Sequence, residues 1–99
     1  MESKVIQLSN GEANGYSAPC GPFNVIFATT GKGMIACGAF DVVALEQFNF
    51  PAVKMTKEGG IKTIDGLTEA HAVLVNTLAQ EQGITEGMSG IECLERLQG

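Results

Sequence analysis

The chain has 99 residues, enough for one domain with a single modest core over 1–99. Hydrophobic residues make up 44% of it and charged residues 17%, a composition that excludes a disordered protein. Its net charge of -5 at pH 7 argues against nucleic-acid binding, which depends on Lys and Arg side chains that neutralise phosphates.

The N-terminal residues predict a β-hairpin. An apolar run that ends at Leu8 is followed by Asn10-Gly11, the strongest two-residue signal for a hairpin loop. We therefore expect residues 12–16 to pair back on the first strand. Residues 17–22, which include two prolines, are expected to form a loop.

Two further strands are predicted over 23–29 and 34–39, joined by a glycine-containing turn at 31–33. With the hairpin they form an antiparallel meander, so the N-terminal β region occupies about 1–40. Apolar side chains alternate onto both faces of these two strands, and strands of this kind are usually covered on both sides. The side chains concerned are Val25, Ile26, Phe27, Met34 and Ile35.

The rest of the chain, about 41–99, is predicted to be mainly helical. Asp41 fits the N-cap of a short helix over 41–48, because its carboxylate can accept from backbone N–H groups of the first turn. Residues 52–55 favour a further strand. The main helix is expected over 65–82, where apolar residues recur at the spacing of one helical face.

The ends of the helices are marked by short signals. Gly83 is expected to end the main helix, and His71, the only histidine, would lie on the apolar face of that helix. Ser89 and Glu92 match the S-x-x-E capping box of a last helix that reaches Leu97. The predicted fold class is therefore α+β, with an N-terminal antiparallel meander packed against a C-terminal pair of helices plus one short helix.

The predicted helices can cover only one face of the sheet well. A second copy of the chain would cover the other face, so we expect a homo-oligomer whose interface includes the five strand residues named above. The alternative is a monomer in which the short helix over 41–48 lies across the second face.

Three sequence blocks resemble one known family. GKGMIACGAFDV (31–42), GIKTIDGLTEA (60–70) and EQGITEGMSGIECLERL (81–97) are similar in order and spacing to the YunC-like family, domain of unknown function family 1805. The likeness covers roughly residues 23–98. It implies a compact α+β fold whose N-terminal β region serves as a tetramerisation surface. It implies no reaction, since a fold by itself does not carry one.

Cys37 and Asp41 are the first candidates for chemistry. A thiol near a helix N-terminus can become a reactive thiolate, which would make Cys37 a nucleophile. The alternative is that Cys37 is a small buried hydrophobic residue, because free cysteines in strands usually have that role. Asp41 favours this alternative, since its negative charge would oppose a thiolate nearby.

A second group of candidates stands near predicted helix starts. Lys62, Thr63 and Asp65 follow the flexible Gly59-Gly60 pair at the start of the main helix, and a lysine beside a helix N-terminus is typical of an anion site. The alternative is that Thr63 or Asp65 only caps the helix. Likewise, Ser89 is either a ligand contact or a capping residue.

The sequence predicts a cytoplasmic protein without a metal site. No apolar run approaches the roughly 20 residues of a membrane span, and the first residues lack the apolar core of a signal peptide. Cys20, Cys37 and Cys93 are an odd number without a C-x-x-C pair, which favours free thiols over disulfides or structural zinc.

Three hypotheses for function follow from the sequence. The first is a homo-oligomeric module, with a tetramer favoured, that binds a small anionic ligand between subunits. The second is a small enzyme with a site formed by Cys37, Asp41, Lys62, Thr63 and Asp65. The third is a protein-interaction partner that uses its acidic helical half. The sequence identifies no cofactor for any hypothesis.

Overall fold

The computed structural model describes all 99 residues and contains six strands and four short helices. The strands are β1 (Glu2–Leu8), β2 (Gly11–Cys20), β3 (Phe23–Thr29), β4 (Met34–Ala36), β5 (Ala52–Thr56) and β6 (His71–Val75). The helices are a 3₁₀ helix (Ala44–Phe48), α1 (Ile64–Glu69), α2 (Thr77–Glu81) and α3 (Gly90–Gln98). The α+β class is therefore confirmed.

All six strands belong to one sheet, in the spatial order β1-β2-β3-β4-β5-β6. Neighbouring strands are antiparallel except β4 and β5, which are parallel. The parallel pair requires a crossover, and residues 37–51, here named the crossover segment, provide it. The predicted meander is confirmed for β1 to β4, and the sheet continues beyond it.

The strand β2 is longer than the sequence predicts. Residues 17–22, expected to form a loop, continue the strand through Cys20, and only Gly21 and Pro22 form the turn before β3. Gly21 has a φ of 69°, which suits the first position of a two-residue hairpin loop. Pro19 is tolerated because β1 ends its pairing at Ser17, so the missing N–H faces no strand on that side.

The prediction of a single helix over 65–82 is wrong. The structure divides this stretch into α1, β6 and α2, and His71 lies exposed at the start of the strand. The β-branched side chains in HAVLV favour a strand, and the burial of Ala72 and Val75 against the sheet outweighs the helical spacing. Asn76 then begins α2, because its side chain accepts a hydrogen bond from the Ala79 N–H.

Other elements match the predictions closely. β5 and α3 are confirmed, whereas β4 ends three residues earlier than expected and the short helix starts three residues later, at Ala44. Ser89 caps α3, accepting from the Glu92 N–H at 3.2 Å. Asp41 accepts from the Ala44 N–H at 3.2 Å, so it supports the turn that leads into the 3₁₀ helix.

The two faces of the sheet are covered differently. On the first face, α1 and α3 enclose the main core, in which Ile26 and Ile35 are both 0% exposed. Those two predicted interface residues therefore have no surface left for a partner. On the second face, Val42 of the crossover segment packs with Met34, Ala36 and Ala52. The crossover segment thus covers the part of the second face formed by β4 and β5.

Candidate functional site

A groove opens at the carboxyl ends of the parallel strands β4 and β5 and is named here the β4–β5 groove. Its volume is about 340 Å³, within the ~300–1,000 Å³ of typical small-molecule sites. In open sheets, ligands bind beyond the carboxyl ends of parallel strands, which is the position of this groove. The lining includes Phe23, Asn24, Cys37, Ala39, Lys57 and Ile61.

Cys37 is the most enclosed polar side chain of the groove, with 7% of its surface exposed. Its Sγ accepts a weak hydrogen bond from the Ile26 N–H at 3.5 Å, and its own N–H donates to the Ile26 carbonyl at 2.9 Å. These two contacts fix the thiol against β3. Cys37 is therefore buried, as one of the two sequence-based interpretations proposed, and it also lines the groove.

Lys57 supplies the positive charge of the groove. Its Nζ lies 3.1 Å from Glu69 Oε1, and its side chain is 35% exposed. The loop that follows turns back at once, because Gly59 and Gly60 both have positive φ and the Gly60 N–H donates to the Lys57 carbonyl at 2.9 Å. This turn places Gly60 and Ile61 in the groove lining beside Lys57.

Two residues of the groove lining carry backbone N–H groups without a partner in the chain. The N–H groups of Gly38 and Ala39 have no acceptor within the chain, and both residues are exposed. The next N–H, that of Phe40, donates to the Cys37 carbonyl at 3.3 Å. Unpaired backbone N–H groups at successive positions can bind anions, because each contributes a partial positive charge.

The structure does not bring the five residues of the predicted enzyme site into one cleft. Thr63 caps α1, since its Oγ1 accepts from the Gly66 N–H at 2.9 Å. Asp65 pairs with Lys4 at 2.6 Å. Both residues line a shallow depression of about 190 Å³ that is separate from the β4–β5 groove. Lys62 and Asp41 are exposed and line neither space.

The other two cysteines differ from Cys37. Burial raises the pKa of the Cys93 thiol to about 12, and the negative charge of Glu92 adds to this effect. Cys93 is therefore a neutral thiol in the core at physiological pH. Cys20 is exposed at the end of β2. No group of three His, Cys, Asp or Glu side chains is arranged to hold a metal ion.

Part of the second face is covered only at its border, where Phe27 of β3 packs against Phe40 of the crossover segment. We name this part the β1–β3 surface, and it shows Val5 at 53% exposed and four half-buried side chains. The four are Tyr16, Ala18, Val25 and Phe27. The Tyr16 and Phe27 rings stack with their centroids 5.1 Å apart. Beside this surface β1 is an edge strand, so one side of its backbone has no neighbour.

Asn76 is a central polar residue that sequence reasoning missed. It is 2% exposed, and its amide group donates to the Val42 carbonyl at 3.0 Å and the Phe50 carbonyl at 3.1 Å. Its Oδ1 accepts from the N–H groups of Ala52 and Ala79. The available signal was an asparagine directly before Thr-Leu-Ala, a typical helix start that the single long helix obscured.

Comparisons with known proteins agree with the family resemblance. The family model described as Domain of unknown function (DUF1805) matches residues 36–97. Uncharacterized protein YunC of Bacillus subtilis is 35% identical over 75 residues, which span 75% of this chain and 74% of that protein.

The fold also has a solved counterpart. A crystal structure of a protein of unknown function from Thermoplasma acidophilum superposes with a TM-score of 0.86 at 22% identity. The match covers 97% of this chain and 91% of the other. At this identity the likeness concerns the fold alone. No helix of the structure has the length and apolar character needed to cross a membrane.

Proposed function

Since this chain belongs to the DUF1805 family, we propose that it works as a homo-oligomeric module in which copies of the chain cover each other's β1–β3 surface. One observation supports the proposal: the crossover segment covers the second face over β4 and β5, reaches β3 only where Phe40 contacts Phe27, and leaves the rest of β1 to β3 open. Exposed apolar side chains on an uncovered sheet face are typical of protein interfaces.

A second feature favours a tetramer over a dimer. The β1–β3 surface and the free edge of β1 are different surfaces, and each can pair with its own copy around a two-fold axis. Two different two-fold contacts whose axes intersect at right angles produce a closed tetramer. Of the five interface residues that the sequence suggested, Val25 and Phe27 belong to the β1–β3 surface.

The substitution Val5→Lys tests this proposal. Val5 is 53% exposed, so the fold tolerates a lysine, whereas a charge within an apolar interface opposes association. The matched control is Val73→Lys on β6, at the opposite edge of the sheet, where the valine is 44% exposed.

Gel filtration with light scattering gives the readout. We expect the unmodified chain and the Val73→Lys variant to have a mass that is a multiple of the 10.4 kDa subunit, and Val5→Lys to shift toward one subunit. A monomer of the unmodified chain at micromolar concentration, or equal masses for both variants, would contradict the proposal.

The β4–β5 groove favours an additional role in binding a small molecule. It combines an apolar lining, one ammonium group and two unpaired backbone donors at the carboxyl ends of a parallel strand pair. The groove is also larger than the depression at the start of α1, about 340 Å³ against about 190 Å³.

A further inference from the structure

We propose that the β4–β5 groove binds a small monocarboxylate with an apolar body, placing the body between Phe23 and Ile61 and the carboxylate beside Lys57. The inference rests on the small-molecule role proposed above and names the ligand class. It follows from which groups the groove holds, how each is already bonded, and how much negative charge surrounds it.

The apolar part of the groove has a ready contact surface for such a body. Phe23 is 54% exposed at the first position of β3, although the exposure of an aromatic ring to water is unfavourable. Of the other apolar lining residues, Met55 and Cys37 are almost fully buried and Ile61 is half-buried. A hydrocarbon or aromatic group in this space would cover the exposed ring of Phe23.

The polar part suits one carboxylate. Lysine has three N–H donors, and Glu69 occupies one side of the Lys57 ammonium at 3.1 Å, so donors remain for a second acceptor. The N–H groups of Gly38 and Ala39 are free as well. Together they supply charge-assisted and neutral hydrogen bonds to the two oxygens of a carboxylate.

The surrounding charge limits the ligand to a single negative charge. The chain has a net charge of -5. Glu58 follows Lys57 directly in the chain, and Glu69 forms an ion pair with it. Of the three lysines between residues 54 and 62, only Lys57 lines the groove. Because Glu69 already balances the charge of the Lys57 ammonium, each negative charge on a ligand adds to a negative environment, so a monocarboxylate is opposed less than a phosphate or dicarboxylate.

The test uses ¹⁵N-labelled full-length protein and four small probes. Phenylacetate and butyrate represent the proposed class, phenylacetamide is the neutral counterpart of phenylacetate, and inorganic phosphate is an anion without an apolar body. Amide NMR shifts are followed on titration. We expect both carboxylates to shift the Gly38 and Ala39 amides in a saturable way, and the other two probes to bind at least about tenfold more weakly.

Two variants locate the site, and a third variant serves as the control. Lys57→Gln removes the charge and should weaken phenylacetate binding about tenfold or more, since a hydrogen bond to a charged group contributes that factor. Gly38→Leu fills the groove, where a side chain at this position meets no atom within 4 Å. Lys62→Gln, outside the groove lining, should bind phenylacetate as the unmodified chain does.

The outcomes separate the ligand class from the site. Equal binding of phenylacetate and phenylacetamide at Gly38 and Ala39 would overturn the carboxylate class while the groove remained a small-molecule site. Absence of saturable shifts at these amides with every probe would overturn both. Binding that survives both Lys57→Gln and Gly38→Leu would place the carboxylate elsewhere and overturn the inference.

Discussion

Asn76 and Glu95 show how single polar side chains connect distant parts of this small fold. Asn76, 2% exposed, satisfies its amide group completely with four backbone partners. Glu95 on α3 accepts from both the hydroxyl and the N–H of Ser9, at 2.7 and 3.0 Å, and so joins the last helix to the first hairpin. Neither contact is visible in a local sequence pattern, because the partners are far apart in the chain.

The Ser9 contact predicts a pH effect. The hydroxyl of Ser9, followed by its N–H, holds the pKa of Glu95 below its ordinary value of 4.5. Because the folded-state pKa is lowered, the contact stabilises the fold above the unfolded-state pKa, and this contribution is lost as pH falls through the folded-state value. Ser9→Ala removes the stronger bond, so the pKa of Glu95 should rise.

A carboxyl NMR titration of Glu95 measures this pKa directly. The control is Ser3→Ala, an exposed serine on β1 that makes no side-chain hydrogen bond. An unchanged Glu95 titration in Ser9→Ala would show that the hydroxyl does not set the pKa.

At the scale of elements, the structure separates what local patterns predict from what packing decides. The strands up to β4 and the helix α3 carry clear alternation, turn or capping signals and are confirmed. The stretch over 65–82 satisfies a helical spacing and a strand composition at once, and only the neighbouring β5 decides between them. The sequence named Cys37 as a candidate, but Lys57 joins it through a parallel pairing that sequence patterns do not reveal.

The contact between α1 and α3 leads to a stability prediction. A Cβ at Gly90 would lie 2.4 Å from the Leu67 carbonyl oxygen and 2.8 Å from the Thr68 Cα, so the two helices touch through backbone. Gly90→Ala must move them apart and should lower the free energy of unfolding by about 2 kcal/mol. The control is Gly38→Ala, whose Cβ would meet nothing within 4 Å.

Urea unfolding at one protein concentration compares the two variants. Equal stability of Gly90→Ala and Gly38→Ala would mean that the helices can separate without loss of packing, contrary to the geometry.

At the scale of the whole molecule, the proposed assembly and the stability of the subunit are linked. A domain of this length has little core to spare, and in the proposed assembly its β1–β3 surface would become buried between copies. Association adds to folding stability by mass action, so stability depends on protein concentration when subunits fold and associate together.

The melting temperature should therefore rise with protein concentration for the unmodified chain and stay constant for Val5→Lys. Scanning calorimetry over a hundredfold concentration range checks this expectation. A melting temperature of the unmodified chain that does not change over this range would indicate that the isolated subunit carries all of the stability.

The Asn76 amide has one more consequence, for how this protein can vary. Since the carbonyls of Val42 and Phe50 are held by one side chain, the seven positions between them form a closed loop anchored at both ends. The entropy of such a loop changes only with the logarithm of its length. Insertions beside the exposed Phe48 and Asn49 would leave the contact of Leu45 with the sheet in place, which makes this end of the loop a suitable place for a grafted tag or reporter.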